Sequence, residues 1–123
     1  MKVFLADDSA EVCARIRKLL SIVEGITVSG EAHDVQGAID SIKRLKPNVV
    51  ILDIQMPGGS GIDILREIKE EAPAPIVVML TNYSYPQYRR KYLAAGANFF
   101  FDKSTEFSKV VDVFSQLREY QAA

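Results

Sequence analysis

The sequence contains very little cysteine, histidine or tryptophan. Among 123 residues there is one cysteine, one histidine and no tryptophan. A single cysteine, Cys13, excludes an internal disulfide and favours a reducing compartment. The sequence also offers no Ser-His or Cys-His pair of the kind that activates a nucleophile. We therefore interpret Cys13 as a helix residue with a packing role, and His33 as a surface or loop residue without a second His or Cys to partner it.

Net charge and long apolar runs are also scarce. Acidic residues number 16 and basic residues 15, which gives a formal net charge of −1 at pH 7. Because this balance gives no electrostatic reason to bind DNA, RNA or an anionic membrane, we expect no nucleic-acid or membrane partner. No apolar run approaches the roughly 18 residues of a membrane span, and the apolar start at residues 3–6 is too short for a signal peptide. We expect a single cytoplasmic domain over residues 1–123.

Short apolar runs alternate with segments of helical periodicity along the whole chain. The predicted strands are residues 3–6, 26–30, 48–54, 75–80 and 98–101, and the predicted helices are residues 10–24, 35–45, 62–68, 86–95 and 107–117. Ser9 is a suitable N-cap for the first helix, and Gly25 is a suitable stop. Five strand–helix units predict an α/β fold, a doubly wound five-stranded parallel sheet in the order 2-1-3-4-5 with helices on both faces.

Polar side chains follow four of the predicted strands. They are Asp7 and Asp8 after the first strand, Asp53 after the third, Thr81 after the fourth, and Asp102 and Lys103 after the fifth. Ligands of open α/β sheets bind outside the carboxyl ends of the strands. With the expected strand order, the carboxylates of Asp7, Asp8 and Asp53 meet the Thr81 hydroxyl and the Lys103 ammonium group along one edge of the sheet.

Three neighbouring carboxylates repel one another unless a cation compensates them. Mg²⁺ prefers oxygen ligands and leaves positions for water and phosphate oxygens, so we expect Mg²⁺ as the cofactor. A carboxylate can itself be the nucleophile and form an aspartyl phosphate, and Asp53 is the central candidate. The alternative is structural, because Asp7, Asp8 and Asp53 could each cap a helix or a loop.

Four segments resemble response-regulator receiver domains of two-component signalling. These are "ADDS" after the first strand, "LDIQMPGGSG" after the third, "LTNY" after the fourth and "GANFFFDKS" around the fifth. The resemblance covers nearly the whole chain in order. It implies a flavodoxin-like domain that accepts a phosphoryl group from a histidine kinase or a histidine phosphotransfer protein. Such a domain is not an enzyme acting on a separate substrate, although it promotes its own phosphorylation and dephosphorylation.

The resemblance also implies a role for each residue of the site. Asp53 is the phosphoacceptor and a metal ligand, Asp8 is the more direct ligand of the acidic pair, and Asp7 supports it. The main-chain carbonyl of Gln55 completes the protein ligands of Mg²⁺. The remaining implied roles are the phosphoryl-binding Lys103, the switch pair Thr81 and Phe100, and the positions that tune phosphoryl lifetime, namely Gln55, Asn82 and Tyr83.

Three positions depart from the family pattern. Phe100 stands where tyrosine is commoner, so the switch lacks a hydroxyl and its ring is expected to stay inward. Asn82 stands where a small residue is usual, which narrows access for the phosphodonor. Ser104 replaces the proline that usually follows the lysine in a cis peptide. A non-proline cis bond costs about 3 kcal/mol, so we expect the Lys103–Ser104 peptide to be trans.

The predicted fourth helix carries a concentration of aromatic and basic side chains. A solvated basic face is one interpretation. The other is a partner surface formed by Tyr88, Arg89, Arg90 and Tyr92, because the face of helix 4, strand 5 and helix 5 carries signals in this family and Tyr and Arg are common at interface hot spots. A homodimer is left open by the sequence.

We expect a stand-alone receiver that signals to a protein partner. One alternative is a receiver that forms part of a longer DNA-binding regulator. Another is a receiver-like binding module that is not phosphorylated, held in one state by Phe100 and Asn82. Replacing Lys103 with alanine is expected to leave folding largely intact and to impair phosphorylation or its readout.

Overall fold

The first strand and helix set the pattern for the chain. The computed structural model describes residues 1–122, with side chains up to residue 117. β1 (Lys2–Ala6) leads into α1 (Ala10–Leu20), where the Ser9 hydroxyl accepts the backbone N–H of Val12 at 3.2 Å, as expected of an N-cap. The helix ends earlier than the sequence pattern predicts, and Gly25 lies beyond it in a turn with φ of 82°.

Further strands and helices alternate along the rest of the chain. They are β2 (Thr27–Ala32), α2 (Val35–Leu45), β3 (Val49–Leu52), β4 (Gln55–Met56), β5 (Gly59–Ser60), α3 (Gly61–Lys69), β6 (Ile76–Thr81), α4 (Pro86–Ala94), β7 (Phe99–Asp102) and α5 (Lys109–Ala122). The five strand–helix units are therefore confirmed, with boundaries shifted by a few residues. None of the helices within residues 1–122 is long and apolar enough to cross a membrane.

One small element was not predicted from the sequence. The segment between the predicted third strand and third helix contains the antiparallel hairpin β4–β5, in which Gln55 pairs with Ser60 and Met56 with Gly59. The turn depends on glycine, since Gly58 has φ of 88° and Gly59 has φ of 152°. The Pro57 carbonyl accepts the N–H of Val35 at 3.0 Å, which attaches the hairpin to the start of α2.

The sheet has the order β2-β1-β3-β6-β7 and all four of its strand pairings are parallel. This is the predicted order 2-1-3-4-5, counting only the strands of the main sheet. Successive side chains of β1 point to opposite faces. Phe4 packs with α2, α3 and α4 on one face, and Leu5 packs with α1 and α5 on the other. Both faces are thus covered, as the doubly wound prediction requires.

The register of the sheet aligns the carboxyl ends of four strands. Ala6 lies opposite Leu52, and Leu52 lies opposite Met79. Farther along the same edge, Thr81 lies opposite Asp102. The residues that follow β1, β3, β6 and β7 consequently meet at one edge of the sheet, as the sequence predicts.

Candidate phosphoryl and metal site

Three carboxylates meet where β1 and β3 end. Asp7 and Asp53 are 3% and 6% exposed, whereas Asp8 is exposed to solvent. One carboxylate oxygen from each of the three lies within 4.8 Å of those of the other two. The structure therefore brings together the acidic residues that the sequence assigns to a metal site. The two buried members lie on the protein side, and Asp8 lies on the solvent side.

Each buried carboxylate divides its two oxygens between local structure and the site. Oδ1 of Asp7 accepts the N–H of Ser9 at 2.9 Å, and Oδ1 of Asp53 accepts the N–H of Ile54 at 2.7 Å. Oδ2 of each residue contacts the ammonium group of Lys103. The structural interpretation of these aspartates as turn residues is thus correct for one oxygen of each. The other oxygen is directed to the common site.

Lys103 joins the two buried carboxylates. Its Nζ lies 2.7 Å from Oδ2 of Asp7 and 2.8 Å from Oδ2 of Asp53, and its side chain is only 10% exposed. Burial by itself would lower the pKa of Lys103, but hydrogen bonds to Asp53 and Asp7 outweigh it and the pKa is raised. Burial raises the pKa of Asp7, and the nearby charge of Asp53 adds to this, against the opposing effect of Lys103.

The donor set of this site fits Mg²⁺. Three carboxylates face one ammonium group, so negative charge is left over for a cation to neutralise. All candidate ligand atoms are oxygens, and Asp8 on the exposed side leaves room for water ligands. Gln55 is exposed and begins the hairpin two positions after Asp53. The role of its main-chain carbonyl as a further Mg²⁺ ligand remains a prediction.

Gly61 lets the hairpin return close beneath Asp53. A Cβ atom at this position would collide with the main-chain oxygen of Asp53 and lie 3.1 Å from Cα of Ile54. The N–H of Gly61 donates to the carbonyl of Ile54 at 2.5 Å. Since both obstacles are backbone atoms, a larger residue would displace the segment that carries the central aspartate.

A network around Asp102 holds the loop that carries Lys103. Oδ1 of Asp102 accepts the N–H groups of Ser104 at 2.7 Å and Thr105 at 3.1 Å, and Oδ2 accepts the Ser84 hydroxyl. The Lys103–Ser104 peptide is trans, as expected without proline. The Asp102 side chain thus fixes a turn whose geometry no proline constrains. No role in the loop was predicted for Asp102, although an Asp followed by Ser and Thr is a known turn signal.

Replacing Asp102 tests this support for Lys103. We expect Asp102→Ala to slow phosphorylation by a small acyl phosphate, because the loop no longer holds Lys103 against the carboxylates. Asp102→Asn is the matched control, since its amide oxygen can still accept the Ser104 and Thr105 N–H groups, and it should stay near the wild-type rate. Phosphorylation rates measured by intact mass distinguish the two. Equal phosphorylation rates for Asp102→Ala and wild type would show that Asp102 is not needed to position Lys103.

The hydroxyl of Thr81 is buried and held by the following turn. Thr81 is fully buried, and its Oγ1 accepts the N–H of Tyr83 at 3.0 Å. This contact uses a lone pair of the oxygen and not its proton, so the hydroxyl keeps its donor for another group. Asn82 is exposed and Tyr83 is 41% exposed, and both directly follow Thr81 at the carboxyl end of β6.

Phe100 points into the protein and packs against Tyr92. Phe100 is 3% exposed, and its ring centroid lies 6.4 Å from that of Tyr92. The inward ring is the orientation expected for a residue without a polar tip. The assignment of Tyr92 to a partner surface is wrong, because Tyr92 is 2% exposed. Burial raises the pKa of Tyr92, against the lowering effect of hydrogen bonds at Ile62 and Ser60.

Tyr92 therefore connects α4 to the segment after Asp53. We expect Tyr92→Ala to lower the free energy of unfolding by about 3 to 5 kcal/mol, as for other large-to-small core changes. Tyr92→Phe keeps the ring and should cost only about 1 kcal/mol for the lost hydrogen bond. Urea titration measures both. If Tyr92→Ala cost no more than Tyr92→Phe, the buried ring would not support the core.

The remaining candidates of the partner surface lie on α4. Arg89 and Arg90 are exposed and Tyr88 is half-buried. A guanidinium nitrogen of Arg89 donates to the main-chain carbonyl of Phe100 at 3.0 Å, so this residue also joins α4 to β7. Tyr85, which the sequence analysis did not include, is 58% exposed and its ring lies 6.1 Å from that of Tyr88. An aromatic and basic surface is thus present, without Tyr92.

Comparison with known proteins agrees with this geometry. The sequence model of the family described as "Response regulator receiver domain" matches residues 3–115. The chain belongs to this family. The receiver fold of the chain is also seen in the isolated REC domain of RcsB from Salmonella enterica serovar Typhimurium, solved in the presence of the phosphomimetic BeF3−. That structure has a TM-score of 0.89 and 29% identity, with 97% of this chain and 88% of that one covered.

Curated relatives of this receiver domain are longer proteins. The uncharacterized transcriptional regulatory protein YvfU of Bacillus subtilis is 30% identical over 112 residues, which is 91% of this chain and 56% of that protein. A protein-glutamate methylesterase/protein-glutamine glutaminase of Carboxydothermus hydrogenoformans is 34% identical over 120 residues, 96% of this chain and 34% of that protein. The receiver chain therefore spans about half, or less, of the length of these relatives.

Proposed function

We propose that this receiver domain accepts a phosphoryl group on Asp53 and signals by a change of conformation. The observation that carries the proposal is the position of Asp53. Its Oδ1 is fixed by the N–H of Ile54, while its Oδ2 faces Lys103 within a cluster of three carboxylates. A buried carboxylate with one oxygen held and the other in a cation site is oriented for nucleophilic attack.

In the proposed reaction the phosphoryl group passes directly from the donor to Asp53. An oxygen of Asp53 forms a bond to phosphorus while the bond from phosphorus to the donor breaks. The donor atom, a nitrogen of a phosphohistidine in a histidine kinase or phosphotransfer protein, keeps the electron pair and takes a proton from solvent. Lys103 then moves its hydrogen bonds from carboxylate to phosphoryl oxygens. Asp8, Asp53 and the Gln55 carbonyl, with Asp7 in support, would hold Mg²⁺, which would supply neutralising charge when bound.

The switch would begin at Thr81. A phosphoryl group on Asp53 adds acceptor oxygens near the Thr81 hydroxyl, whose proton is not used by its contact with Tyr83. If Thr81 moves towards the phosphoryl group, the packing behind it changes, where Phe100 already lies inward against Tyr92. The phosphorylated domain would then favour a packing of α4, β7 and α5 that differs from the unphosphorylated one.

Output is proposed to pass through the surface of α4, β7 and α5 to a downstream protein. Tyr85, Tyr88, Arg89 and Arg90 supply aromatic and basic contacts there. Because the relatives are longer than this chain, a receiver linked to a DNA-binding or catalytic domain stands beside the stand-alone interpretation. The length of the full reading frame distinguishes these two. In either case we propose that the receiver itself signals and does not act on a separate substrate.

Incubation with a small acyl phosphate tests the proposed function. In the presence of Mg²⁺ we expect intact mass spectrometry to detect the addition of one phosphoryl group. Chelation of the metal should abolish the addition. A receiver-like binding module is the second candidate, and the inward Phe100 packed on Tyr92 favours it. Absence of any mass gain with several acyl phosphates and a phosphorylated histidine phosphotransfer protein would favour that module.

Asp8 gives a separate prediction about the metal. We expect Asp8→Ala to weaken Mg²⁺ binding by at least about tenfold, because losing even an outer partner of a metal site costs that much. Asp8 is exposed, so the substitution should leave folding unchanged. Isothermal titration with Mg²⁺ measures the effect, and Asp40→Ala, which removes an exposed carboxylate on α2, serves as a control. An unchanged affinity in Asp8→Ala would show that the metal assignment is wrong.

A further inference from the structure

A second group of metal-binding side chains lies between α1 and the edge strand β2. Cys13 comes from α1, Glu31 from β2 and His33 from the residue after its end. A sulfur, a carboxylate oxygen and a ring nitrogen from these residues all lie within 4.8 Å of one another. The interpretation of His33 as lacking a Cys partner is therefore wrong. The fold brings together the only cysteine and the only histidine of the sequence.

The positions of the three residues follow from the secondary structure. Residues 31 and 33 lie two positions apart, so their side chains share one face of the extended segment. Nε2 of His33 lies 2.8 Å from one oxygen of Glu31, and Nε of Arg17 donates to the other oxygen at 2.8 Å. Arg17 thereby orients the carboxylate. Cys13 is fully buried beneath them, and its thiol also contacts the main-chain oxygen of Asp7 at 3.9 Å.

The donor atoms of this group differ in kind from those of the acidic site. Thiolate, imidazole and carboxylate together are the ligands of Zn²⁺ and similar borderline-soft ions. Mg²⁺ prefers oxygen alone. The His33 side chain is 47% exposed, which opens the group to solvent and leaves space for a water ligand. The buried thiol lies on the opposite, protein side.

We propose that Cys13, Glu31 and His33 bind a borderline-soft divalent cation, with Zn²⁺ as the best fit, separately from the Mg²⁺ site. On binding, the sulfur of Cys13 loses its proton to solvent and forms a bond to the metal. The hydrogen between His33 and Glu31 also leaves that contact: on a neutral ring it moves to the other ring nitrogen through solvent, which frees the first nitrogen and the Glu31 oxygen to become ligands. Because the thiolate and not the thiol is the ligand, binding releases the Cys13 proton and should strengthen as pH rises.

Without a metal, the same residues form an ordinary surface network. Arg17, Glu31 and His33 are partly exposed, and ion pairs between partly exposed side chains contribute little to stability. This is the alternative outcome of the test. The two interpretations differ in the state of the Cys13 thiol, which keeps its proton and hydrogen-bonds to Glu31 in the surface network and loses it to become a ligand in the metal site.

The test uses Zn²⁺ for affinity and Co²⁺ as a spectroscopic probe, both with saturating Mg²⁺ present to occupy the carboxylate site. We expect one Zn²⁺ to bind and Co²⁺ to give a sulfur-to-metal charge-transfer band in the near ultraviolet. His33→Gln and Cys13→Ser should each weaken Zn²⁺ binding by at least about tenfold. Cys13→Ser should also lose the band. Asp8→Asn is the matched control and should keep both.

His33→Gln keeps the proposal open to refutation if Cys13→Ser fails to fold, because His33 is a surface residue. Equal Zn²⁺ affinity in wild type and His33→Gln would overturn the proposal. So would a Co²⁺ complex of the wild type without a sulfur band, which would leave Arg17, Glu31 and His33 as a surface network. Loss of Zn²⁺ binding in Asp8→Asn would also overturn it, since the ion would then occupy the acidic site.

Discussion

Replacing Lys103 with methionine should destabilise the domain by about 3 kcal/mol in the absence of Mg²⁺. Lys103 is the ammonium group that contacts both buried aspartates, at 2.7 Å and 2.8 Å. Its removal leaves two carboxylates facing each other in a buried place, and breaking a buried ion pair in this way costs roughly 3 to 5 kcal/mol. The sequence alone led us to expect a folding-neutral substitution, because it does not reveal this burial.

Two comparisons isolate the cause of the Lys103 effect. Lys109→Met removes an exposed lysine that pairs with Glu106 at 2.9 Å, and should cost less than about 1 kcal/mol. Adding Asp53→Asn to Lys103→Met should recover most of the loss, because only one buried carboxylate then remains charged. Urea titrations of the four proteins measure these differences. Equal losses in Lys103→Met and Lys109→Met would contradict the account.

The largest functional effect is expected at Asp53. Asp53→Asn keeps the shape of the side chain and removes the nucleophile, so phosphorylation by acyl phosphate should fall below detection. The same change removes one of two mutually repelling buried carboxylates. It should therefore leave stability unchanged or raise it, since Lys103 keeps its contact with Asp7. Intact mass and a urea titration of the same preparation measure both effects.

A matched variant separates loss of the nucleophile from loss of negative charge in general. Asp40→Asn removes an exposed carboxylate on α2 and should keep the full mass gain. A phosphoryl group on Asp53→Asn at the wild-type rate would place the acceptor elsewhere. A strongly destabilised Asp53→Asn would contradict the charge balance inferred for the site.

The fold was predictable because it depends on patterns that are local in the sequence. Alternating apolar periods predict the strand–helix units, and the acidic, hydroxyl and basic residues at strand ends predict where a site forms. Asp53, Lys103 and Thr81 could be placed in this way. The hairpin β4–β5 could not, because each of its strands has only two residues and no periodicity.

The features missed by sequence analysis depend on contacts between distant residues. Tyr92 was assigned to a partner surface because helix 4 carries signals in this family and Tyr is common at interface hot spots, yet it is buried against Phe100. The approach of Cys13 to His33 results from the packing of α1 against β2, which no spacing in the sequence reveals. Asp102 lies beside Lys103 in the sequence, but its role required the hydrogen bonds to Ser104 and Thr105.

The most direct test of the central claim is to identify the residue that carries the phosphoryl group. Borohydride reduces an aspartyl phosphate to homoserine and leaves free carboxylates unchanged. After treatment with acyl phosphate and Mg²⁺, followed by borohydride, peptide sequencing by mass spectrometry should find homoserine at position 53 and aspartate at positions 7 and 8. Homoserine at position 7 or 8, or a phosphoryl group retained on His33 with position 53 unmodified, would contradict the account.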